Sequence, residues 1–175
     1  MKHEIISNAL LISKLVLLIT MLGIALYTDL KVGKIYNKLT MPCMLAGLTL
    51  NTIQGGIPGL LHSFEGILLV LVIFLLFAKL GSIGGGDVKL LMAVGAVMGL
   101  NFATKAMLLS AVAGGVLAII VICKRRISFA ALASNFIVSA TTQTPIRVSQ
   151  ESQNEKFRYS PAIVVGTVLT IFLRT

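Results

Sequence analysis

The sequence predicts an all-α polytopic membrane protein with six transmembrane helices, and three observations lead there. Apolar residues make up 57% of the 175 residues and charged residues only 12%, where a soluble domain is about half apolar and about a quarter charged. The apolar residues come in long blocks separated by short polar breaks, the pattern of a chain solvated mostly by lipid. The Lys and Arg residues alternate in density from break to break, as loops on opposite sides of a membrane do.

The blocks give spans at 8–28, 39–53, 59–80, 87–100, 103–123 and 160–173. The first begins near Lys2 and resembles a secretory signal, but Glu4 stands ahead of the run, Lys14 interrupts it and Asp29 closes it. It is therefore read as an uncleaved span. The second is entered through Pro42. The third is the most apolar. The fourth is short and contains Gly95 and Gly99. The sixth carries Pro161 in its first turn, where a missing N–H does no harm. The second, fourth and sixth fall below the ~20 residues of a straight crossing, so they lie nearly upright, thin the bilayer or start below its surface. The whole of 1–175 reads as one membrane-embedded domain.

Six spans alternate the loops between two sides. One side receives Lys31, Lys34, Lys38, Lys79, Lys89, Lys124, Arg125, Arg126, Arg147, Lys156 and Arg158; the other receives Lys2, Lys105 and Arg174, with Lys14 snorkelling toward it. That is eleven against four of the 15 basic residues. The positive-inside rule puts both termini outside and the first, third and fifth loops in the cytoplasm. The same distribution disposes of the alternative reading of the +9 net charge: the basic residues form no basic face with interleaved aromatics, so nucleic acid is not an expected partner. The fifth loop, 124–159, is the only long one. Within it, 127–140 has Phe129, Leu132, Ala133, Phe136 and Ala140 on one helical face, suited to the inner leaflet, and 141–156 is polar and reads as flexible.

Cys43 and Cys123 sit inside apolar blocks and form no CxxC pair, so neither a metal nor any other cofactor is expected. They read as small buried hydrophobes.

Asp occurs at 29 and 87 only. Asp29 ends the first span in Tyr27-Thr28-Asp29-Leu30, and Asp87 begins the fourth in Gly84-Gly85-Gly86-Asp87-Val88-Lys89. A topology drawn from Lys and Arg alone puts both carboxylates at the cytoplasmic edge. Ionisable groups at membrane depth are expensive and face the bundle interior. Two carboxylates brought together cannot both ionise cheaply, so the pair offers a base and an acid at once. That is the equipment for hydrolysing a peptide with an activated water. Gly84, Gly85 and Gly86 are expected to let the backbone turn sharply and a substrate strand come close. Without the GKS/T ending they do not form a phosphate-binding loop.

These residues resemble the GxGD membrane aspartic proteases and, within them, the prepilin peptidases. The match at Gly84-Gly85-Gly86-Asp87-Val88-Lys89-Leu90 is close. Asp29-Leu30-Lys31 followed by Ile35-Tyr36-Asn37-Lys38-Leu39 matches at the first site, with Tyr36 where the family often has Pro. Tyr159-Ser160-Pro161-Ala162 matches at the opening of the last span. The resemblance covers most of the chain in order and spacing, apart from 127–157. It implies catalytic Asp29 and Asp87 facing the cytoplasm at the inner membrane, with Gly84, Gly85, Gly86, Lys89 and Asn37 supporting them. It implies prepilin and pseudopilin precursors as partners, each cut after a short basic leader and just before a hydrophobic helix. Bifunctional members also methylate the new N-terminus and carry a large first loop, often with paired CxxC motifs. Here that loop is 29–38 and has no cysteine. The chain therefore resembles the small peptidase-only branch associated with Flp pili and tight adherence; archaeal preflagellin peptidases are of similar size.

Other polar residues take lesser parts in this reading. His62 and Glu65 form an i, i+3 pair on the outer side, away from the chemistry. Lys31, Lys34 and Lys38 are topology determinants, and Glu151 or Glu155 is the candidate to hold a basic leader. Tyr27 is a candidate hydrogen-bond neighbour of the acids. Two rival readings stand on the same architecture: a proton- or cation-coupled transporter, which wants its acids near mid-membrane, and a non-enzymatic membrane subunit of a pilus or secretion machine, which would tolerate loss of either Asp.

Overall fold

The computed structural model describes residues 2–78, 84–125 and 159–173, and among them every regular element is an α-helix. The expected segments 127–140 and 141–156, together with Glu151 and Glu155, lie outside the described residues. In chain order the helices are α1 (Lys2–Val32), α2 (Asn37–Ala78), α3 (Gly85–Met98), α4 (Leu100–Arg125) and α5 (Ser160–Phe172). Three stretches are long and apolar enough to cross a membrane, Glu4–Val32, Asn37–Leu75 and Leu100–Ile120, and Ser160–Phe172 is apolar but shorter. Large apolar side chains stand exposed along their outer faces, among them Ile12, Ile19, Leu45, Leu68, Val112 and Ile119. Water does not tolerate apolar surface on that scale, whereas lipid tails do.

α1 runs past the expected span of 8–28 at both ends and stops at Gly33. That glycine is left-handed, with φ 69°, and its N–H returns to the Asp29 carbonyl at 2.8 Å. The left-handed cap closes the last turn, and Asp29 stands in that turn.

α2 is two helical arms. Gly56 sits between them with φ 62° and ψ −140°, a conformation that favours glycine. In one straight helix Gly47 and Gly66 would stand about 28 Å apart. Instead both lie against the same short piece of α3. A Cβ on Gly47 would meet the Ala96 carbonyl carbon at 2.8 Å, and one on Gly66 would meet that of Gly95 at 2.9 Å. The chain therefore turns back on itself at Gly56, Pro58 opens the return arm, and the two arms embrace α3.

α3 packs against all four other helices. Val88, Leu90, Leu91 and every residue of 93–98 are buried. A helix that is apolar all round belongs in an interior, which accounts for the short fourth block: it is a central post enclosed by the other helices. Its C-terminal carbonyls have partners. Gly99 N–H returns to the Gly95 carbonyl at 2.8 Å. The Asn51 side-chain amide donates to the Ala96 and Val97 carbonyls at 3.0 Å each, and to its own arm at Gly47. Asn51 is thus a cap supplied from another helix.

Lys14 departs from its expected place. It is 6% exposed and turns inward, donating to Asn51 Oδ1 at 2.6 Å and to Gln54 Oε1. A charge in an apolar bundle is held by oxygens where it can reach them, and the two amide side chains lie nearer than the membrane surface. α4 and α5 touch closely where a Cβ on Gly166 would meet Ser110 Cα at 2.6 Å.

Candidate active site

Asp29 leaves the last turn of α1, and Asp87 leaves the first turn of α3 as the third residue after the capping Gly84. The two side chains line one cavity of about 420 Å³. Gly33, Lys34, Ile35, Tyr36 and Asn37 from the α1–α2 connection form one wall, and Gly84, Gly86 and Tyr159 complete it. Asp29 is 8% exposed and faces the same cavity as Asp87. A helix N-terminus is a favourable seat for a carboxylate, so Asp87 is held where its own helix supports it.

The glycine run acts by clearance. None of its members has a positive φ; Gly84 is extended, with φ −68° and ψ 134°. A Cβ on Gly84 would meet Asp87 Oδ2 at 3.0 Å, and one on Gly86 would meet Ile35 Cβ at 3.2 Å, whereas one on Gly85 would meet nothing among the described residues. Gly84 therefore leaves room for the carboxylate and Gly86 lets α3 approach the α1–α2 connection. The expected sharp turn is not found at these three residues, and no described neighbour requires glycine at 85.

Two residues at the start of α5 join the site. Ser160 is fully buried, and its hydroxyl donates to Asp29 Oδ2 at 2.6 Å. Tyr159 lies half-buried with its ring over Gly114, where a Cβ would meet Cζ at 3.2 Å. Burial first, and the neighbouring Asp87 carboxylate second, push the Tyr159 phenol above its ordinary pKa. The sequence singled out this tetrapeptide as a motif without showing what it touches.

With this geometry in view, the comparisons with known proteins are specific. Residues 2–119 match the type IV leader peptidase family. The chain belongs to that family. The matched stretch contains both aspartates and stops short of Tyr159 and Ser160. The prepilin leader peptidase/N-methyltransferases of Burkholderia pseudomallei strains 1026b and K96243 are each 29% identical over 107 residues, covering 58% of this chain and 35% of theirs. The chain thus matches about a third of the length of these curated relatives. No solved structure matches it.

The remaining polar residues of this leader peptidase family member sort by distance from the cavity. Lys89 reaches Asn37 Oδ1 at 2.8 Å and so ties the first turn of α3 to the start of α2, a strap beside the acids. Lys34, expected only to set topology, lines the cavity itself. Tyr27 points away: it is 62% exposed and accepts a hydrogen bond from Lys31 at 3.2 Å. His62 and Glu65 form the expected pair at 4.0 Å, and His62 lines a separate cavity with Lys14, Asn51 and Gln54. Cys43 is buried as expected, whereas Cys123 is exposed.

Proposed function

We propose that this protein is a membrane aspartic endopeptidase that removes the short basic leader from type IV prepilin-like precursors of the Flp and pseudopilin kind, with Asp29 and Asp87 as its catalytic pair. The observation that carries the reading is that the chain's two aspartates, from separate helices, line one cavity. Close carboxylates share a proton. The charged member takes a proton from water, the oxygen of that water attacks the scissile carbonyl carbon, and the protonated member donates its proton to the carbonyl oxygen. The C–N bond then breaks as the member protonated in the first step gives its proton to the amine nitrogen and the other takes one back from the gem-diol. A cavity of about 420 Å³ accepts a few residues of extended chain.

The reading includes a membrane arrangement. α1, the two arms of α2, α3, α4 and α5 make six crossings within a single domain in the inner membrane, with both termini periplasmic and the aspartates at the cytoplasmic rim. The basic residues of the α1–α2 connection support this orientation. A 14-residue α3 spans about 21 Å, short of a ~30 Å hydrocarbon core, so its N-terminus with Asp87 opens below the lipid surface, where a substrate's membrane helix begins. The connection between Val32 and Asn37 is too short to house a methyltransferase site, which supports peptidase activity alone. Both acids stand at helix ends, and this favours proteolysis over cation transport through mid-membrane acids.

Co-expression with Flp-type pilin precursors tests the reading. The precursor should shift to its shorter form on a gel with the unmodified protein and stay long with Asp29→Asn or Asp87→Asn. Full processing by either variant would refute it.

A further inference from the structure

We propose that Ser160 is a positioning residue for the aspartate pair: its hydroxyl fixes one oxygen of Asp29 so that the other faces Asp87 and the attacking water. The inference rests on the proposed peptidase reading and adds to it a residue from outside the stretch that the family match covers.

A carboxylate on the last turn of a helix can rotate, and only some orientations present an oxygen to a partner across a cavity. Among the described residues, Ser160 is the side-chain donor to Asp29, through Oδ2 at 2.6 Å. That length is typical of a hydroxyl donating to a carboxylate, the strong class of hydrogen bond. With Oδ2 occupied, Oδ1 is the oxygen left for the cavity.

Ser160 can serve as a fixed post because its own place is determined from several directions. It is fully buried. Pro161 follows it in the first turn of α5 and limits the backbone there. The Tyr159 carbonyl accepts the Ala162 N–H at 3.0 Å and the Ile163 N–H at 3.3 Å, closing that turn. The Tyr159 ring rests on Gly114, and Gly166 rests on Ser110, so α5 is keyed into α4 at two levels. Site precision comes from such supported groups.

A donor to a carboxylate favours its charged form. Removing the Ser160 donor should therefore register in the acid limb of the pH–rate profile, which reports the pair as a whole. The other ionisable groups around Asp29 in the cavity are Asp87 from α3, Lys34 and Tyr36 from the α1–α2 connection and Tyr159 ahead of α5; none is altered by a change at Ser160.

The test compares Ser160→Ala, Ser160→Thr and Asp29→Asn in detergent, with a pilin precursor as substrate. Ser160→Ala should stay folded and lower kcat about tenfold or more, with KM changed less than twofold. The acid limb of its pH–rate profile should move up by about half a unit or more. Ser160→Thr, which keeps the hydroxyl, should restore most of kcat and the limb. Ser160→Ala with unchanged kcat and limb would overturn the inference, as would a loss of rate with no movement of the limb and no recovery in Ser160→Thr. Asp29→Asn separates the two levels. If it is inactive while Ser160→Ala behaves as the unmodified protein, only Ser160's role falls. If Asp29→Asn is active, the peptidase reading itself falls.

Discussion

Replacing Asn51 with Leu should loosen the central helix without touching the acids. Asn51 is 6% exposed and makes interhelical hydrogen bonds in three directions: to the Ala96 carbonyl, to the Val97 carbonyl and, as acceptor, to Lys14. Polar bonds between membrane helices average about 0.6 kcal/mol each, so three amount to roughly 2 kcal/mol. Orphaned buried carbonyls would add to that at about 1 kcal/mol or more each, while the similar volume of Leu keeps the packing term small. For a chain of this size about 2 kcal/mol lowers a melting midpoint by roughly 4–8 °C. Cys43 is a buried reporter. On a Cys123→Ser background, a fluorogenic maleimide reads the temperature at which Cys43 becomes reachable. Thr49→Val is the control, since among the described residues Thr49 bonds the Ala46 carbonyl of its own helix from an exposed position, and it should move the midpoint by less than 1 °C. A shift that small for Asn51→Leu would refute the idea that a borrowed amide caps α3.

Two further outcomes follow from contacts already described. Gly66→Ala should lower the same midpoint by about as much as Asn51→Leu, because the new Cβ meets the backbone of Gly95 and overpacking costs roughly 1–3 kcal/mol; Gly85→Ala, with open space around it, should be silent in the melt. Tyr159→Phe should leave the alkaline limb of the pH–rate profile where it is: burial and Asp87 raise the phenol's pKa, so the hydroxyl keeps its proton through neutral and mildly alkaline pH, and an alkaline limb that vanished in Tyr159→Phe would contradict that.

Much of this architecture is legible in the sequence because the bilayer imposes a coarse, one-dimensional code. Apolar blocks and Asp at two block edges follow from local chemistry. The fourth block's brevity is legible too, but not its cause: that α3 is enclosed on all sides is a property of packing. Lys14 shows the limit most clearly. By sequence alone a lysine in an apolar run snorkels to the surface, and only the fold brings Asn51 and Gln54 within its reach. Ser160 is the same case in the site. A serine beside a proline reads as a helix start, and its bond to Asp29 joins residues 131 positions apart. The triple glycine reads as flexibility, whereas Gly84 and Gly86 act by having no side chain where Asp87 and Ile35 need the space.

The proposed mechanism requires Asp29 and Asp87 to act as one unit. The direct measurement is leader-cleavage rate in proteoliposomes for the unmodified protein, each Asp→Asn variant and the double variant. Residues that work together lose function non-additively, so each single change should abolish nearly as much rate as both. A single variant that keeps a substantial rate, or a double variant whose loss is the product of two modest ones, would contradict the account.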